Sequence, residues 1–103
     1  MIEFQYFDGC PNAEGTLVNL KSLIAKELSG FELSITEIKD ISEAEQKNFQ
    51  GSPTILVDGI DIYTGEVPDS YNYTCRIYNL NGKMTGILTR DYIYSRIALL
   101  GKD

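Results

Sequence analysis

The arrangement that most restricts this chain is its opening: a strand, a sharp corner, a long amphipathic helix and a second strand. Residues 2–7, Ile-Glu-Phe-Gln-Tyr-Phe, alternate apolar and polar and finish aromatic, as a half-buried strand does. Asp8-Gly9-Cys10-Pro11 interrupts the pattern. Ala13, Leu17, Leu20, Ile24 and Leu28 then recur at spacings of three and four. They form one stripe on a helix of roughly five turns. Pro11 suits the first helical position, because its φ is preset and the N–H it lacks has no partner there. Ser29-Gly30 predicts the stop, with Gly30 as a left-handed cap. Phe31, Leu33 and Ile35 alternate with Glu32, Ser34 and Thr36 as the second strand. Two neighbouring strands joined by so long a crossover run parallel, and the connection is almost always right-handed.

The remaining patterns extend that unit. Ser42-Glu43-Ala44-Glu45 has the capping-box form and predicts a short helix over about 43–49, ending before Gly51. In "SPTILVDG" (52–59) four β-favouring residues follow a proline and end in Asp58-Gly59, a tight-hairpin signal. The return strand begins at Ile60, and "TGEVPDSYNYT" (64–74) is a loop. Cys75-Arg76-Ile77-Tyr78 predicts another strand, and Asn81-Gly82 a second hairpin. Thr89 caps a last helix with Tyr92, Ile93, Arg96, Ile97 and Leu100 on one face and Gly101 as its stop. The order is β-α-β-α-β-β-α with extra strand and loop material before the last helix. These elements make one α/β domain over residues 1–103, a three-layer α/β/α sandwich around a mixed sheet.

Composition excludes much chemistry. The chain has no histidine, so Ser-His-Asp and Cys-His catalysis and His-ligated zinc are absent. Nine Lys and Arg against fifteen Asp and Glu leave a net charge of −6, which repels nucleic acid and anionic membrane surfaces. No signal-peptide pattern precedes the first strand, so a cytoplasmic location is expected, with the two cysteines reduced. No bound cofactor and no resident metal are expected.

Two motifs at the right places in this element order make the chain resemble the thioredoxin-like family. Cys10-Pro11-Asn12-Ala13 stands where that family has its Cys-x-x-Cys turn, and is most similar to the Cys-Pro-x-x form of glutaredoxins. Ser52-Pro53-Thr54 stands where the family opens its third core strand with a cis-proline. More narrowly, "FDGCPNA", "GSPTILVDG" and "CRIY" are similar to a small bacterial and archaeal group of thioredoxin-like proteins, in which both cysteines belong to the pattern. The resemblance implies a nucleophilic Cys10, a cis-Pro53 beside it, and substrate contacts from Pro11, Ser52, Pro53 and Thr54. It departs at Ala13, where the family places a second thiol, and the acids Glu3, Asp8 and Glu14 near Cys10 are unsuited to glutathione.

The residues themselves allow several chemistries. A thiolate at a helix N-terminus is stabilised by free N–H groups and the macrodipole, while Asp8 opposes it, so a moderately lowered pKa is expected at Cys10. Packing alone and metal binding are the alternative roles for Cys10. Cys75 is either a buried strand residue or, if the 64–74 loop returns it to Cys10, the thiol that resolves a mixed disulfide. The functional readings are a thiol–disulfide oxidoreductase acting on a protein or small-molecule thiol or disulfide, a binding module without redox chemistry, and a carrier of a soft ion such as Cu(I) or Hg(II). Tyr71 and Tyr73 lie in the long loop, where a lid or partner contact competes with packing. Arg76 beside Cys75 would lower a thiol pKa if its head turned inward, but an outward, solvated side chain is expected, and Asp58 and Asp61 are expected to serve as turn and strand-edge residues.

Overall fold

The computed structural model describes residues 1–100. Its elements are β1 (Ile2–Tyr6), α1 (Pro11–Lys26), β2 (Leu33–Glu37), α2 (Ile41–Lys47), β3 (Thr54–Val57), β4 (Ile60–Asp61), β5 (Tyr78–Leu80), β6 (Lys83–Thr85) and α3 (Arg90–Leu100). The main sheet has the order β2-β1-β3-β4. β1 runs parallel to β2, with Phe4 opposite Ile35, and antiparallel to β3, with Phe4 also opposite Ile55. The sheet is therefore mixed, and the α1 crossover makes its one parallel pair. β5 and β6 form a separate hairpin.

Strand alternation divides the side chains between two faces. Ile2 and Phe4 of β1 and Ile55 and Val57 of β3 pack with Leu20 and Leu23 of α1 and Ile93 and Ile97 of α3. All eight are 2 % exposed or less, so this face holds the main core. Glu3 and Gln5 point the other way, into a groove shared with Lys47 and Asn48 at the end of α2. Ile38, Ala44 and Phe49 form a smaller separate cluster, with Phe7 and Tyr73 packed against it. Helices thus lie on both sides of the sheet, as burying both faces requires.

Both hairpin signals hold. Asp58 and Gly59 take φ of 50° and 84°, and Asn81 and Gly82 take 57° and 88°, so each turn has two successive left-handed residues. Thr89 accepts a hydrogen bond from the Tyr92 N–H at 3.1 Å and caps α3 as expected. The Gly101 stop lies outside the described residues.

Three boundaries differ from expectation. α1 ends at Lys26, because the N–H groups of Glu27 and Leu28 both bond the Leu23 carbonyl, at 2.8 and 3.2 Å. Leu28 then tucks into the core, and Gly30 takes no left-handed cap. α2 begins earlier than its Ser42 signal. Asp40 accepts from the Glu43 N–H at 2.8 Å while the Glu43 carboxylate accepts from the Lys39 N–H at 2.7 Å, a reciprocal cap two residues upstream. The strand expected at 75–78 begins at Tyr78, because residues 74–76 pair with Ser52 instead.

Candidate functional site

The corner after β1 sets the first sulfur. The Cys10 N–H bonds the Phe7 carbonyl at 3.4 Å across a turn in which Gly9 has φ 92°. Cys10 is the N-cap of α1 with extended backbone, and Pro11 opens the helix at its exposed mouth. Cys10 is only 7 % exposed. Behind it the Ser52–Pro53 peptide bond is cis, and as a thiol Cys10 donates to the Ser52 carbonyl at 3.5 Å. Ser52 and Thr54 are fully buried, and the Thr54 hydroxyl donates back to the Gly51 carbonyl at 2.5 Å.

A strap of chain brings in the second sulfur. From Pro68 to Arg76 it lies along residues 48–52, held by bonds from the Asn48 amide to the Pro68 carbonyl (3.3 Å) and from the Gln50 amide to the Ser70 carbonyl (2.6 Å). The Asn72 N–H bonds the Phe49 carbonyl at 2.6 Å. At its end the Ser52 N–H donates to the Thr74 carbonyl at 2.9 Å, and the Arg76 N–H donates to the Ser52 carbonyl at 2.8 Å. Gly51, with φ 111°, makes this approach possible: a Cβ there would meet Arg76 Cβ and the Thr74 oxygen, each at 3.1 Å. Cys75 is delivered to the surface with its Sγ 3.3 Å from the Cys10 Sγ, both thiols free.

Arg76 fixes that end of the strap. Contrary to the outward placement expected from sequence, its side chain is 10 % exposed and turned inward. It donates to Asp61 at 2.7 Å and to the Thr54 hydroxyl at 3.1 Å. Its guanidinium also lies over the rings of Tyr78 and Tyr63, at 4.7 and 5.3 Å from their centroids. Asp61, expected at a strand edge, is 1 % exposed and is the buried counter-charge. The Tyr78 hydroxyl donates to the Pro53 carbonyl, and burial raises its pKa far above the usual phenol range. Arg76, Asp61, Tyr63 and Tyr78 thus form a polar core under the site. Its visible trace in the sequence is the arginine beside Cys75.

The loop tyrosines divide. Tyr73 packs edge-on against Phe7 at 5.2 Å and donates its hydroxyl to the Ile38 carbonyl at 3.4 Å, so it anchors the strap. Tyr71 is 40 % exposed.

The two thiols are unequal. At Cys10 burial opposes ionisation, but hydrogen bonds from the Ser52 and Cys75 side chains and from the Asn12 and Ala13 backbone outweigh it, and the pKa is lowered. At Cys75 the hydrogen bond to Cys10 acts first, with burial and the Cys10 charge adding to it, and the pKa is raised. Cys10 is therefore the sulfur that ionises first. On its other side lies a cavity of about 440 Å³ between β1, α1 and β2, lined by Phe4, Tyr6, Cys10, Leu17 and Ile35, with Asp8 and Glu14 as its carboxylates.

A mixed β2-β1-β3-β4 sheet with helices on both sides, a sulfur at the mouth of the first helix and a cis-proline behind it define a thioredoxin-fold protein with two facing thiols. A family model described as a thioredoxin domain matches residues 2–74, and the chain belongs to that family. Searches of curated proteins and of solved structures found no match. The matched segment ends one residue before Cys75, so the second thiol and its Arg76 anchor lie outside it. No helix among the described residues is long and apolar enough to cross a membrane.

Proposed function

We propose that the protein is a thiol–disulfide oxidoreductase in which Cys10 is the nucleophile and Cys75 the resolving thiol. The observation that carries this reading is the 3.3 Å approach of two free sulfurs whose pKa values move in opposite directions. The Cys10 thiolate attacks one sulfur of a substrate disulfide, that S–S bond breaks, and the first thiolate leaves. Cys75, as its thiolate, then attacks the Cys10 sulfur and expels the second. The dithiol is oxidised to a Cys10–Cys75 disulfide by loss of two electrons, and the substrate is reduced to two thiols that carry away both protons. Turnover requires an external thiol reductant. It attacks the exposed Cys75 sulfur, because Cys10, with the lower pKa, is the better leaving group.

On this reading the Ser52 carbonyl holds the nucleophile, and Pro11, Ser52, Pro53 and Thr54 are the residues nearest the reacting sulfur on the substrate's side. The test is trapping with 2-hydroxyethyl disulfide followed by intact-mass measurement. Wild-type protein is expected to lose two hydrogens, Cys75→Ser to accumulate a mixed disulfide on Cys10, and Cys10→Ser to form one on Cys75 at least about tenfold more slowly at neutral pH. A mixed disulfide in Cys10→Ser formed as fast as in Cys75→Ser would overturn the assignment of the nucleophile. Inert thiols in all three would overturn the function.

A further inference from the structure

The main-chain edge of Ser52 is already occupied. Its N–H and C=O are both bonded to the strap, at Thr74 and Arg76. The strap is held there by the Arg76–Asp61 ion pair and by Tyr73. An extended polypeptide seeking to lie along Ser52 finds those groups spent and Cys75 over the Cys10 sulfur. Displacing the strap would break its hydrogen bonds and uncover Asp61.

The cavity on the β1–α1 side offers the other approach to Cys10. Its volume of about 440 Å³ suits a small molecule, since such pockets run to roughly 300–1,000 Å³. Phe4, Tyr6, Leu17 and Ile35 make its wall apolar. Among the described residues no lysine or arginine lines it, and its carboxylates are Asp8 and Glu14. Neither Ser52 nor Cys75 lines it, so the incoming disulfide and the resolving sulfur reach Cys10 from separate directions.

Resting on the oxidoreductase reading above, we infer that the substrates are small disulfides with apolar bodies and neutral or cationic ends, admitted through the β1–α1 cavity, and not extended polypeptide disulfides or anionic ones. The chemistry is the exchange already written. The cavity adds a size limit, and the acids add a sign.

The experiment is stopped-flow oxidation of the reduced protein by four disulfides, each rate divided by that of a small reference thiol with the same compound. The probes are cystamine (cationic), 2-hydroxyethyl disulfide (neutral), dithiodiglycolate (anionic) and a neutral linear peptide dimerised through a central cysteine. Cystamine is expected to exceed dithiodiglycolate by about tenfold at low salt, the gap closing as salt rises. The peptide is expected to trail the neutral small disulfide by at least about tenfold, the scale set by loss of a matched site. Asp8→Asn with Glu14→Gln, both at exposed positions, should shrink the cation-to-anion ratio, a quotient in which any change in Cys10 ionisation cancels. Ile35→Trp, at a position 45 % exposed, should slow the neutral small disulfide by narrowing the cavity. Equal normalised rates for all four probes, or a peptide that reacts fastest, would overturn this inference and leave the oxidoreductase reading intact. If no probe oxidises the pair, both fall.

Discussion

At the residue scale the site depends on which of two sulfurs carries the negative charge. Cys10 is buried, which by itself disfavours a thiolate, yet donors from Ser52, Cys75 and the first turn of α1 reverse the balance. Sequence reasoning expected the lowering but credited the helix end alone, because neither the Ser52 nor the Cys75 donor is adjacent to Cys10 in the chain. The sign can be worked out for each sulfur. A lowered pKa fills the thiolate at lower pH, so the alkylation rate of Cys10 with iodoacetamide should reach half its plateau below the pH of an ordinary thiol. Cys75→Ala removes one donor and should move that midpoint upward. Conversely, Cys10→Ala relieves Cys75 of its largest perturbation and should move the Cys75 midpoint down toward the ordinary value. Unchanged midpoints in both variants would mean that the sulfurs do not share a proton.

At the element scale the strap decides whether the two thiols meet, and its anchor is Arg76. Removing one partner of a buried ion pair leaves the other charge uncompensated, a loss of about 3–5 kcal/mol. Arg76→Met should cost at least the lower part of that range in urea unfolding, because Asp61 stays buried. Arg76→Lys should recover part of the loss, keeping the charge but not the two-pronged contact with Asp61 and Thr54. Both variants should also slow closure of the Cys10–Cys75 disulfide. The elements were legible where local rules act alone: the β1–α1 corner, both hairpins and the Thr89 cap. α2 moved because Asp40 and Ser42 are both good caps two residues apart, and only the surroundings choose between them. The 75–78 segment departs from expectation because β-favouring residues do not specify a partner. It pairs with Ser52, more than twenty positions away, and that pairing turns Arg76 inward and exposes Cys75. Cys10, Ser52 and Pro53 were readable as a motif, whereas the Asp61–Arg76–Tyr78 group exists only once the chain has folded back on itself.

At the scale of the whole molecule the two sulfurs, 65 positions apart, close most of the chain into one loop when they bond. Such a link acts chiefly on the unfolded ensemble, and the chain-entropy relation for a loop of this length gives about 4 kcal/mol. The fold already brings the sulfurs together, so little of that gain is lost to rearrangement. The oxidised protein should therefore unfold in urea at a midpoint higher by about 1–4 M than the reduced protein. Cys75→Ser should show no difference between oxidising and reducing conditions. The same cycle read the other way means that folding favours the disulfide by about a thousandfold over the unfolded dithiol, about 4 kcal/mol expressed as an equilibrium constant. Stabilisation of the Cys10 thiolate pulls in the opposite direction as pH rises, because only the reduced form has an ionisable sulfur there. The oxidation equilibrium, measured against a dithiol buffer, should accordingly shift toward the reduced form between the Cys10 midpoint and that of the buffer thiol. If oxidised and reduced midpoints in urea coincide, the strap does not hold Cys75 against Cys10 in solution, and the two-thiol cycle loses its resolving step.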